Sequence, residues 1–76
     1  MNKNRRAAIE KISSQIADLK YELEILMEEE EEYRDNIPEN LQGSERYELA
    51  DSACYSLGEA IDSLDSAIDS IEEAVE

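Results

Sequence analysis

Two runs of apolar residues, spaced alternately three and four apart, constrain this chain more than any other feature. The first is Ile9, Ile12, Ile16, Leu19, Leu23, Leu26, then Tyr33 and Ile37, with Glu30 as its one break. The second is Tyr47, Ala50, Cys54, Leu57, Ile61, Leu64, Ile68, Ile71 and Val75, and it has no break. Such spacing puts one stripe on a helix and forms a coiled-coil seam, with 9, 16, 23, 30 and 37 at heptad position a and 12, 19, 26 and 33 at d. In the second run 47, 54, 61, 68 and 75 take position a. With one Pro, two Gly and four aromatic residues, all Tyr, the composition favours helix and no strand is expected.

Between the stripes, residues 35–45 hold the only proline and one of the two glycines. Asn36 followed by Glu39 reads as a capping box for a single helical turn through Leu41, with Gly43 as the left-handed residue that stops it. Ser44 reads as the N-cap of the second helix, and Glu45 lies in its first turn, where the helix dipole favours negative charge. This predicts one domain, residues 1–76, with helices at about 4–35 and 44–75 and a turn at 36–43. Helices joined so briefly lie side by side and antiparallel. The expected fold is therefore all-α, an antiparallel two-helix coiled-coil hairpin.

A seven-residue repeat, beginning at Ala53, Ala60 and Ala67, runs through the second half. It lines up Ala53, Ala60, Ala67 and Ala74 at position g, beside the seam, where small side chains let another helix approach. Ala8 and Ile25 lie on the same flank of the first helix. On the opposite flank, a turn centred near residues 42 and 43 sets Arg34 against Asp51, Lys20 against Asp65 and Met27 over Gly58. Pairs of this kind select register more than they supply stability. Tyr33 and Tyr47 are expected to close the core at the turn.

The net charge of −14 is unevenly spread, about +3 over residues 1–20 and −17 over residues 21–76. In an antiparallel hairpin the basic residues Lys3, Arg5 and Arg6 would neighbour Asp69, Glu72, Glu73 and Glu76 and be taken up by them. The rest is a negative rod, which disfavours direct nucleic-acid binding and favours a basic protein partner. The run Glu28, Glu29, Glu30, Glu31, Glu32 reads first as a solvated helix face near the tip. Its sharper reading is a contact for a basic surface. A metal site ranks last, because a straight helix spaces carboxylates too far apart to wrap a hard cation, and no calcium-loop spacing is present.

Catalysis has little to stand on: the chain has no His, no glycine-rich phosphate loop, and a single Cys54 on the seam without a base near it in sequence. No catalytic, cofactor-binding or metal-binding residues are assigned. Ser44 and Arg46 open a helix whose free N–H groups suit an anion, although Ser44 as a plain cap and Arg46 paired with a neighbouring acid is the simpler reading. The single cysteine favours a reducing, cytoplasmic setting. The basic start is followed by an amphipathic pattern and not by an apolar run, so no export signal or membrane span is expected.

The stretch Asn36-Ile37-Pro38-Glu39-Asn40-Leu41-Gln42-Gly43-Ser44-Glu45-Arg46, preceded by an acidic run and flanked by heptads, resembles a group of short uncharacterised acidic helical-hairpin proteins of bacteriophages and other mobile elements of Gram-positive bacteria. The resemblance covers most of the chain, and its turn is the specific part. It implies a phage or mobile-element setting and no particular activity.

The functional expectation is a non-enzymatic acidic interaction protein, in its sharp form an inhibitor that imitates a phosphate backbone before a basic host protein. The alternatives are a small-anion or nucleotide binder, which would use the turn and basic residues at an oligomer interface, and a structural assembly component. A pair of helices this small leaves each seam partly wet. A homo-oligomer is therefore expected, most simply a dimer forming a four-helix bundle through Ile25, Ala53, Ala60, Ala67 and Ala74. Partner-binding candidates are Glu28, Glu29, Glu31, Glu32, Ser44 and Arg46.

Overall fold

A computed structural model describes all residues 1–76. Two helices, α1 (Lys3–Asp35) and α2 (Glu45–Ala74), pack against one another, with a single 3-10 turn at Glu39–Leu41 between them and no strand. The rod measures 59 × 15 × 13 Å between Cα atoms. Its radius of gyration is 17.4 Å, against about 11 Å for a compact domain of this length.

Each helix starts on a side-chain cap. Asn2 accepts a hydrogen bond from the Arg5 N–H at 2.7 Å, and Ser44 accepts one from the Tyr47 N–H at 3.3 Å, so each cap satisfies one of the N–H groups left free at a helix start. The connection differs from the expectation. Asn36 does not open a capping box; it caps the C-terminal end of α1, its N–H donating to the Glu32 carbonyl. Proline explains this: Pro38 disfavours helical backbone at Ile37 and takes the cap position before the 3-10 turn, its carbonyl accepting from the Leu41 N–H, so the turn has no side-chain cap. Gly43 is not left-handed either, since no residue has positive φ. The chain leaves the 3-10 turn through the Ser44 N–H donating to the Leu41 carbonyl.

Register follows from three pairs across the hairpin. Lys20 meets Asp65, Arg34 meets Asp51, and Met27 lies over Gly58. In each pair the residue numbers add to 85, so the helices run antiparallel and level without slippage.

The rotation of α1 about its own axis is the main departure from the heptad reading. The side of α1 that turns toward α2 runs Ile9, Ser13, Ile16, Lys20, Leu23, Met27, Glu30, Arg34 and Ile37, positions a and e, while α2 uses a and d as expected. The d row of α1 is left out: Ile12, Leu19, Leu26 and Tyr33 are 51%, 61%, 56% and 45% exposed. Met27, from the e row, packs over Gly58 at a distance that would accept a Cβ there. The stems of Lys20 and Arg34 contribute as well, lying half-buried while their charged ends reach the acids of α2. The buried residues are only Ile37, Ala50, Cys54 and Ile61, and none of them is wholly shut off from solvent.

Candidate functional site

The e-position flank is a zipper of charge. Lys20 donates to Asp65 at 2.5 Å and pairs with Glu24 at 3.5 Å. Arg34 reaches Asp51 and Asp35, both at 3.0 Å. The hydrogen bond to Asp65 raises the Lys20 ammonium above its ordinary pKa, and that to Asp35 raises Arg34, in each case against some loss of solvent. These pairs hold the two helices in register.

At the basic end the expected neutralisation does not occur. Lys3, Arg5 and Arg6 make no ion pair with Asp69, Glu72, Glu73 or Glu76. The geometry accounts for this: in the observed register Glu76 is level with Ile9, so α1 overhangs the end of α2 and its first basic residues have no acid opposite. The Nε of Arg6 is shielded from solvent and lacks a hydrogen-bond partner.

At the turn, Ser44 serves as cap, and Arg46 does not pair with an acid. Its guanidinium lies 5.9 Å from the centre of the Tyr33 ring, within range of a cation–π attraction. Tyr33 therefore does not close the core as expected; it is exposed and carries Arg46, while Tyr47 is half-buried. Of the acidic run, Glu28, Glu29 and Glu32 are exposed, whereas Glu30 and Glu31 are half-buried. No three acidic or thiol side chains converge as a metal cage would require. Burial pushes the Cys54 thiol up; Arg34 pulls it back, and Glu31, Glu30 and Asp51 push it up further. A thiol held protonated in a core is a poor nucleophile.

The self-association candidates fall on one flank. Ile25, Ala60 and Ala74 are exposed, and Ala53 and Ala67 are half-buried. Beside them runs the uncovered d row of α1, which the heptad reading had placed inside the seam. The two rows are in step: by the register, Ile12, Leu19, Leu26 and Tyr33 come within one residue of the levels of Ala74, Ala67, Ala60 and Ala53. A shallow groove of about 500 Å³ opens there, lined by Leu19, Leu23, Leu26 and Leu64 with Glu22 at its rim. The signal for it in the sequence was the e row itself, where Lys20 and Arg34 have acids of α2 opposite them and Met27 has Gly58.

No family model, curated protein or solved structure matches the chain. No helix is long and apolar enough to cross a membrane.

Proposed function

We propose that this hairpin is a non-enzymatic interaction protein that self-associates, as a dimer forming a four-helix bundle, and offers its acidic surface to a basic protein in the cytoplasm. One observation carries the reading: of 21 acidic residues, only Glu24, Asp35, Asp51 and Asp65 meet a base. The others line a rod nearly 60 Å long as ordered, unneutralised carboxylates. A rigid row of negative charge attracts basic proteins at long range and competes for surfaces that take a phosphate backbone. In the phage setting implied by the resemblance at the turn, the natural target is a host nucleic-acid-binding protein.

The test is capture from a bacterial lysate on the immobilised chain. Nucleic-acid-binding proteins should be enriched, and both added duplex DNA and higher salt should release them. Capture indifferent to salt and DNA would overturn the proposal.

The second reading, a binder of small anions or nucleotides, is favoured by Lys3, Arg5 and Arg6, which have no acid opposite them. Nucleotides and inorganic anions should then raise the melting temperature; a flat response counts against it.

A further inference from the structure

We infer that the face formed by the d row of α1 and the alanine row of α2 receives a second copy of this chain in reversed orientation, the basic end of each copy lying beside the acidic tip of the other. The inference deepens the self-association proposed above and rests on it.

The area fits such an occupant. The hairpin exposes 5702 Å², about 1,000 Å² more than the roughly 4,700 Å² of a compact monomer of 8.7 kDa. A stable interface of standard size takes about 800 Å² from each partner. The excess on one hairpin is thus what one copy would bury.

Charge selects both the face and the direction. A chain of net charge −14 can meet its own copy only where the contact itself is uncharged. The alanine row and the serines beside it, Ser56, Ser63 and Ser70, carry no charge, and the d row from Ile12 to Tyr33 carries none. Along the same flank of α1, Arg5 and Lys11 stand near the open end, Asp18 and Glu22 at the middle, where Glu22 forms the rim of the apolar groove, and Glu29 and Glu32 near the tip. Neither base has an ion-pair partner within its own chain.

A parallel dimer would set base against base and acid against acid. A two-fold axis across the rod near Leu19 instead brings Ile12 of one copy level with Leu26 of the second, and Arg5 level with Tyr33. Arg5 and Lys11 then lie alongside Glu29 and Glu32. Two-fold symmetry makes each such contact twice.

Light scattering after size exclusion, together with cysteine cross-linking, tests this on the full chain, with the buried Cys54 as a silent background. Wild type should have twice the 8.7 kDa mass, and Leu19→Glu should weaken association about 100-fold or more, because it places two carboxylates in an apolar contact. Ile12→Cys and Leu26→Cys should cross-link when mixed, while neither variant cross-links with itself. Self-linked Ile12→Cys would establish the parallel dimer and overturn the inference. A Leu19→Glu protein that stays folded by circular dichroism and keeps the double mass would move the contact to another face, leaving self-association intact. A wild-type mass of 8.7 kDa would remove both. The cross-links are read on associated protein, so they decide the orientation even if Leu19→Glu loses helix.

Discussion

A Cβ placed on Gly58 would stand 3.9 Å from the sulfur of Met27. That is ordinary van der Waals contact, so the crossing that lets Met27 approach α2 still has room for one methyl group. Glycine inside a helix costs about 0.5–1 kcal/mol relative to alanine. Gly58→Ala should therefore stabilise the hairpin by about that amount, as measured by urea denaturation. Destabilisation would mean that the helices approach more closely than this.

Ser44→Ala removes the one side-chain cap of α2 and should cost about 1 kcal/mol. Ser44→Asp restores an acceptor and should recover most of it. If both variants match wild type in thermal melts, the Tyr47 N–H finds another partner and the cap is not structural.

Glu30 occupies an a position on the side of α1 that faces α2, half-buried and away from the charge zipper. Glu30→Leu should stabilise the fold by about 1 kcal/mol, roughly half the gain from fully burying a leucine. A neutral or negative change would assign the glutamate a favourable partner in the associated protein.

Two groups make the hairpin sensitive to alkali. Burial holds the Cys54 thiol above its ordinary 9.0, and the hydrogen bond to Asp65 holds Lys20 above 10.5. Both are raised in the folded state, so their contributions are complete below those values and fall away as pH rises through the higher folded ones. Stability should drop from about pH 9 upward, and a Cys54→Ala, Lys20→Met protein should lose less over that range. At neutral pH, Cys54 should react with iodoacetamide far more slowly than an unfolded control. Rapid labelling would place the thiol outside the core.

Much of the hairpin was legible in residue order because its causes are local. The apolar spacing sets the helices, the single proline sets the turn, and opposite charges at e positions set the register at Lys20 with Asp65 and Arg34 with Asp51. The rotation of α1 was harder to read. Heptad spacing ranks a and d above e, yet the e row wins here, because Met27 is itself apolar and because the Lys20 and Arg34 stems add apolar contact that a hydropathy pattern does not count while their charged ends reach Asp65 and Asp51. The turn misled in a similar way: Asn36 and Gly43 have the chemistry of a capping box and a left-handed stop, but Pro38 claims the start of the short 3-10 turn. The overhang of Lys3, Arg5 and Arg6 depends on a difference in helix reach that charge order alone does not reveal. The candidate acids and alanines could be named from the sequence, whereas the exposed row of Ile12, Leu19, Leu26 and Tyr33 required the rotation.

The four buried residues all belong to the half of the rod nearer the turn, and Ile37 and Ala50, each 3% exposed, sit almost at the turn itself. Closing the loop between Arg34 and Asp51, 17 residues apart, costs less entropy than closing that between Lys20 and Asp65, 45 apart, by about 0.9 kcal/mol. The best burial therefore coincides with the cheapest loop, and the chain should zip from the turn outward. In hydrogen exchange, amides near Ala50 and Cys54 would be the last to open and those beyond Ile9 and Ile71 the first. The open end would breathe while the tip stays shut, so a protease would begin its cuts among the basic residues and leave the acidic tip for last.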